Sequence, residues 1–269
     1  MINCKIGIIG CGNMGEAILK GLSKVIEPST SIYVSEYDEK RREVIQDKYK
    51  VIVSIDNNYI VKYSDVIILA VKPKDFAALL KSEVCCGVSE KKLIISIAAG
   101  ITTQYIEKIV GREIPVIRAM PNMAAVIGES ITSLSAGSSA NKEHMKLASE
   151  IFSVIGDVVE IDESMVDAVT AISGSGPAYF FYLVESMLEA ARELGLKDDI
   201  ARRLVTKTAL GSARLLESTK EDPALLRAKV TSKGGTTEAA FKVIEAAFVK
   251  RAMKEAVKKA HDRAKELAQ

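Results

Sequence analysis

Two glycine-rich stretches lie towards opposite ends of this 269-residue chain, each directly before a helical pattern: "GCGNMG" at residues 10–15 and "TSKGGTTE" at residues 231–238. A glycine-rich turn that feeds a helix gathers unpartnered backbone N–H groups at the positive end of the helix dipole, which suits an anion. The first stretch sets Gly10, Gly12 and Gly15 in G-x-G-x-x-G spacing after the apolar run ending at Ile9, and Met14, Ile18, Leu22 and Val25 then recur at helical intervals. In that order the first glycine permits a tight turn, the second admits a pyrophosphate close to the backbone, and the third lets the helix pack on the sheet. Gly10, Cys11, Gly12, Asn13, Met14 and Gly15 are therefore expected to hold a dinucleotide. Glu36, at the end of the next β-rich run, is placed to accept from the adenosine ribose and to repel a 2′-phosphate. The cofactor is read as NADH or NADPH: Glu36 favours NADH, while Lys40, Arg41 and Arg42 keep NADPH open. The second stretch is expected to receive a different anion, a substrate carboxylate, at Ser232, Gly234, Gly235, Thr236 and Thr237.

The elements that must position these loops follow from periodicity. Up to about residue 160, the β-rich runs "KIGIIG", "SIYVS", "DVIILAV", "KLIISIA", "PVIRAM" and "SLSA" alternate with helical patterns beginning near Asn13, Asp38, Asn57, Lys74, Thr102 and Asn141. Apolar strands alternating with helices predict an α/β fold, a doubly wound and mostly parallel sheet of the Rossmann type covered on both faces. Beyond Asp162 only helical spacing remains, so the chain is expected to divide into a dinucleotide-binding domain, 1–162, and an all-helical domain, 163–269. The helical half carries long apolar runs and a stripe from Val249 to Leu267, more apolar surface than a short bundle needs. Helix exchange between subunits is expected, with a compact monomeric bundle as the alternative.

Composition narrows the partners. Thirty-seven basic against 35 acidic residues give a net charge of +2, which offers no nucleic-acid footprint. The basic segment "KRAMKEAVKKAHDRAKE" lies beside an apolar stripe and reads as a solvated helix face. No run reaches the roughly 18 to 20 apolar residues of a membrane span, and no signal peptide is evident. Four cysteines form neither a disulfide framework nor a metal pattern, so no metal is expected and a cytoplasmic location fits.

Six motifs carry a resemblance that runs through most of the chain: "GIIGCGNMGEAI", "AVKP" (70–73), "SIAAGI" (96–101), "RAMPN" (118–122), "AVTAISGSGPAY" (168–179) and "VTSKGGTTE" (230–238). Together they resemble the pyrroline-5-carboxylate reductases, the last two being the most specific. The resemblance implies that NAD(P)H delivers hydride to C5 of the cyclic imine 1-pyrroline-5-carboxylate, giving L-proline in the last step of proline biosynthesis. It implies further that Ala70, Val71, Lys72, Pro73, Met120, Pro121 and Asn122 lie on the cofactor side, and that Asn57 reaches the adenosine ribose. Substrate contacts fall on Thr170, Ser173, Gly174, Ser175 and Gly176 and on the second glycine loop, with Thr237 as hydrogen-bond partner of the imine nitrogen or proton relay. A homodimer interwoven through the helical domain, or a ring of such dimers, is expected. One position departs from the family: Lys233 stands where "SPGGTT" has proline, which puts substrate affinity and ring-size preference in question.

Reduction of a protonated imine needs positioning and a hydride donor but no base to take a hydroxyl proton. His144 and His261 lie in helical patterns and read as surface residues. Three alternatives remain: a reductase of a related cyclic imine carboxylate, a β-hydroxyacid dehydrogenase relative, and a dinucleotide-binding regulator without turnover. Against the second, the dehydrogenase's acid/base lysine has no counterpart between Gly176 and Gly195. The regulator would leave the second loop unused.

Overall fold

The computed structural model describes residues 2–110 and 113–268. Two compact units emerge, one of Met1–Ser175 with Ala260–Gln269 and one of Gly176–Lys259. The first contains β1 (Ile6–Ile9), β2 (Ile32–Ser35), β3 (Ile52–Ser54), β4 (Val66–Leu69), β5 (Leu93–Ser96), β6 (Val116–Met120), β7 (Ser130–Ala136) and β8 (Gly156–Glu160). Their order in one sheet is β3-β2-β1-β4-β5-β6-β7-β8. Every neighbouring pair is parallel except β6 with β7. Helices α1 (Asn13–Leu22), α2 (Glu39–Tyr49), α3 (Asn57–Tyr63), α4 (Pro73–Leu79), α5 (Cys85–Gly87), α6 (Thr103–Val110) and α7 (Lys142–Phe152) lie between the strands, and α8 (Val166–Val169) follows β8.

The two-residue period of a strand sorts its side chains to opposite faces. Ile6, Ile8, Val66, Ile68, Leu93 and Ile95 pack into one core with Ile18 of α1 and Phe152 of α7. Ile9, Ile67, Leu69 and Ile94 enter the other with Ile60 of α3, Phe76 of α4 and Ile106 of α6. Burial on both faces is why these strands read as unbroken apolar runs. Side-chain caps set several helix starts. Asp38 accepts from the Arg41 N–H at 2.8 Å, and Asn141 accepts from the Glu143 and His144 N–H groups while His144 Nδ1 accepts from the Asn141 N–H. His144 thus works as a helix cap.

The sequence reading missed β3 and β8, the two edges of the sheet. β3 is three residues long and half-buried, and three of the five residues of β8 are exposed, so neither shows a clear apolar signature.

The second unit is helical: α9 (Gly176–Glu193), α10 (Asp198–Thr219), α11 (Pro223–Lys229), α12 (Thr236–Ala246) and α13 (Val249–Leu267), the end of α13 belonging to the first unit. Among its described residues the buried apolar side chains are Ala191, Ala201 and Val205, while Phe180 and Tyr182 are each 70% exposed. Neither buried apolar cluster among the described residues includes a residue of this unit. No helix among the described residues is long and apolar enough to cross a membrane.

Candidate active site

The strand order reverses between β1 and β4, and the crevice at such a switch point is where open α/β sheets take ligands. The Gly10 turn lies there. Gly10 has φ +89°, and a side chain on it would lie 2.8 Å from the Ala70 carbonyl oxygen beyond β4. Gly15 is held closer still: a Cβ there would collide with the Gly10 carbonyl. Gly12 differs, for a Cβ on it would meet nothing within 4 Å. It is also the N-cap of α1, with no side-chain cap. The first turn of α1 is thus open to a ligand, with glycine where that ligand would approach.

A cleft of about 980 Å³ runs along this turn and is lined by Gly10–Gly15, Glu36, Ala70, Val71 and Lys72, with Arg41 and Lys74. Pro73 begins α4 beside it, at the first helical position that suits proline. Glu36 is 6% exposed. Its Oε2 accepts from the Cys11 N–H and its Oε1 from the Asp38 N–H, each at 3.2 Å, which ties the end of β2 to the glycine loop. The neighbouring guanidinium groups are engaged as well. Arg41 Nε donates to the Cys11 carbonyl at 2.5 Å and Nη2 to Glu16 Oε2 at 2.9 Å, and Arg42 donates to the Glu36 and Tyr37 carbonyls. A hydrogen bond from Lys48 holds the Glu16 carboxyl below its ordinary range. Burial pushes the Cys11 thiol up to about 12, so it is a packed thiol and not a nucleophile.

Asn57 lies apart from this lining. Its side-chain oxygen accepts from the Ser35 hydroxyl, and its amide donates to Glu83 Oε2 at 2.8 Å. A second cleft is lined by Asn13 and Met14 again, together with Met120, Pro121, Asn122 and Gly174. The glycine loop and the "MPN" loop therefore share walls. Asn122 caps the following turn, accepting from the Ala124 N–H at 3.1 Å.

The "SGSGP" segment closes this side. Thr170–Gly174 forms a π-helical turn after α8, a distortion frequent at functional sites. Thr170 Oγ1 donates to the Val166 carbonyl and Ser173 Oγ to that of Val169, so both hydroxyl protons are spent internally and their lone pairs remain as acceptors. A Cβ on Gly174 would lie 3.1 Å from Met120 Cε, so this turn and the "MPN" loop face each other across the second cleft. Gly176 is the first residue of α9.

The second glycine loop, in the helical unit, repeats the logic of the first. Gly234 turns the chain at φ +74°. Gly235 caps α12 with no side-chain cap, leaving the Thr236 and Thr237 end of the helix open to an anion. The Gly234 N–H is taken by Glu238 Oε2 at 2.6 Å and the Gly235 N–H by the Ser232 carbonyl at 3.1 Å. Thr237 is half-buried at the first turn. Lys233, the departure from the family pattern, is exposed.

The sequence reading missed a cluster at β6 in which the buried Arg118 pairs with the half-buried Glu163 and Asp167, Glu163 also accepting from the Thr103 hydroxyl. A charged residue inside the apolar run "PVIRAM" was its one local signal.

Comparison with known proteins agrees with this architecture. The family model described as pyrroline-5-carboxylate reductase dimerisation matches residues 163–267, and that of the coenzyme F420-dependent NADP oxidoreductases matches residues 5–100. A pyrroline-5-carboxylate reductase of Synechocystis sp. is 40% identical over 268 residues, covering 99% of both chains. Among solved structures, a pyrroline-5-carboxylate reductase from Coxiella burnetii superposes with a TM-score of 0.92 at 36% identity over 99% of each chain. A pyrroline carboxylate reductase from Plasmodium falciparum with NADP bound gives 0.90 at 28% identity over the full length of both. With identity at this level across nearly its whole length, the chain belongs to the pyrroline-5-carboxylate reductase family.

Proposed function

We propose that this protein reduces 1-pyrroline-5-carboxylate to L-proline with a nicotinamide dinucleotide, the last step of proline biosynthesis. The observation that carries the cofactor half is the uncapped N-terminus of α1 in the β1/β4 crevice, with open space above Gly12. The residues fit a dinucleotide: backbone N–H groups for the pyrophosphate and Glu36 at the end of β2 for the ribose. When bound, the cofactor supplies the hydride that ends on C5 of the imine, whose nitrogen carries one proton into the product amine. The chain's task is to orient. Thr170 and Ser173 offer acceptor lone pairs, and the start of α12 receives the carboxylate at Thr236 and Thr237. Thr237 meets the imine nitrogen. Turnover is tested by following reduced-cofactor oxidation with pyrroline-5-carboxylate, a piperideine carboxylate, hydroxyisobutyrate and a blank side by side. Oxidation with pyrroline-5-carboxylate well above the blank and the hydroxy acid is the expected result.

On cofactor choice the reading favours NADH. Glu36 sets a carboxylate at the end of β2, where the ribose is proposed to bind, and Arg41 and Arg42 are engaged with the Cys11, Glu36 and Tyr37 carbonyls and with Glu16. Glu36→Ser is expected to raise the NADPH to NADH ratio of kcat/KM about tenfold, equivalent to about 1.4 kcal/mol. A flat ratio in paired steady-state assays would show that Glu36 does not face the ribose.

The proposed division of labour places dinucleotide binding in 1–162 and substrate binding with dimerisation in 163–269. Its support is the exposure of Phe180, Phe181, Tyr182 and Leu183 on α9, apolar surface that a second copy of this chain would cover. Sedimentation velocity is expected to give a dimer or a multiple of dimers at micromolar concentration. An active monomer across that range would overturn the assignment.

A further inference from the structure

Arg118 lies in the middle of β6 and is 4% exposed. A guanidinium so deeply buried requires partners. Its Nη1 lies 3.4 Å from Glu163 Oε1 and its Nη2 3.9 Å from Asp167 Oδ1. Glu163 is gripped a second time, since the Thr103 N–H donates to Oε1 at 2.8 Å and Thr103 Oγ1 to Oε2 at 2.6 Å. Asp167 Oδ1 is buried and finds no hydrogen bond among the described residues, which leaves the ion pair to answer its charge.

Strand geometry connects this cluster to the active site. Residues two apart on a strand share a face, so Arg118 and Met120 point the same way. Glu163 lies just before α8 and Asp167 within it, and the segment continues into the Thr170–Gly174 turn, where a Cβ on Gly174 would lie 3.1 Å from Met120 Cε. One strand thus anchors the segment at its base through Arg118 and borders its tip through Met120.

We propose that Arg118 is a positioning residue for imine reduction: by holding Glu163 and Asp167 it fixes the Thr170–Ser175 turn against Met120, in the wall of the second cleft that Asn13 and Met14 of the glycine loop also line. This rests on the imine reductase reading above. Arginine suits the task because its charge does not titrate and its fork addresses two carboxylates at once.

The test compares the full-length oligomer with Arg118→Met, Arg118→Lys and Glu163→Gln. Dinucleotide affinity is read by fluorescence titration, kcat and KM for pyrroline-5-carboxylate are read per folded molecule, and amide exchange is followed across Thr170–Ser175. A misplacement of about 1 Å can cost about 100-fold in rate, so Arg118→Met is expected to lower kcat by about 30- to 100-fold while dinucleotide Kd stays within about twofold. Arg118→Lys should recover about tenfold of that loss by restoring the charge without the fork. The Ser175 N–H, which donates to the Thr170 carbonyl at 2.8 Å, should exchange faster in Arg118→Met, while that of Glu16 in α1 should not.

Unchanged kcat per folded molecule, or equal losses in dinucleotide binding and kcat without rescue by lysine, would overturn the assignment. If Arg118→Met does not fold, Arg118→Lys and Glu163→Gln carry the same comparison with smaller expected losses. If the unmodified protein fails to reduce the imine, the functional reading falls. Exchange at Thr170–Ser175 then decides the positioning role by itself, and unaltered exchange rejects it.

Discussion

Gly12→Val is expected to weaken dinucleotide binding by about 100-fold or more, at least ~2.7 kcal/mol, while leaving the melting temperature almost unmoved. Gly15→Ala is expected to lose both. The difference lies in what each added carbon meets. A Cβ on Gly12 has nothing within 4 Å in the protein, so the space it would fill is open to the proposed ligand. A Cβ on Gly15 collides with the Gly10 carbonyl, so strand and helix must separate, and overpacking of this kind costs about 1 to 3 kcal/mol. The two variants separate glycine needed for ligand approach from glycine needed for packing. Calorimetric titration with NADH beside thermal unfolding reads both. If Gly12→Val binds NADH normally, the open N-terminus of α1 is not the pyrophosphate site.

What was legible in the sequence follows from which interactions are local. Helix starts at Asp38 and Asn141 could be read because a cap and its helix are adjacent, and both side chains cap helices in the structure, whereas the start at Asn13 was marked by the glycine spacing before an apolar periodic run. The central strands could be read because burial on both faces makes each an unbroken apolar run. Edge strands β3 and β8 bury less and so carried no such mark. Arg118 shows the complementary limit. Within "PVIRAM" it is one charge in an apolar run, and its partner Glu163 is 45 positions away, a pairing that no local pattern reveals. Glu36 falls between these cases. Its place at the end of β2 was legible, whereas its bonds to the Cys11 and Asp38 N–H groups appear only once β1 and β2 lie side by side.

The second glycine loop should prove separable from the first by mutation. The hypothesis is that the start of α12 receives the substrate carboxylate, motivated by an N-cap glycine, Gly235, that supplies no side-chain cap to the first turn. The Gly234 and Gly235 N–H groups are already bonded to Glu238 and to the Ser232 carbonyl, so the donors for a ligand fall to Thr236 and Thr237, one step further along. Gly235 has φ −85°, which any residue can adopt, so Gly235→Val brings no backbone strain there. Its Cβ would instead collide with Ser232 Oγ and push that side chain and the valine methyls towards the open helix end. Loss of proline binding with NADH affinity nearly unchanged is the expected outcome. Thr237→Val is subtler, since it removes one hydroxyl at nearly constant volume. A lost hydrogen bond to a charged group is worth about 1.5 to 3 kcal/mol, or about 10- to 150-fold in kcat/KM. Both variants should stay folded, because the loop is exposed or half-buried throughout. Proline titrated into each variant with oxidised cofactor present, beside NADH alone, separates the two anion sites. Normal proline binding by Gly235→Val, or equal loss of proline and dinucleotide in a folded protein, would remove the carboxylate from this loop, and the Thr170–Ser175 turn would have to hold the substrate without it.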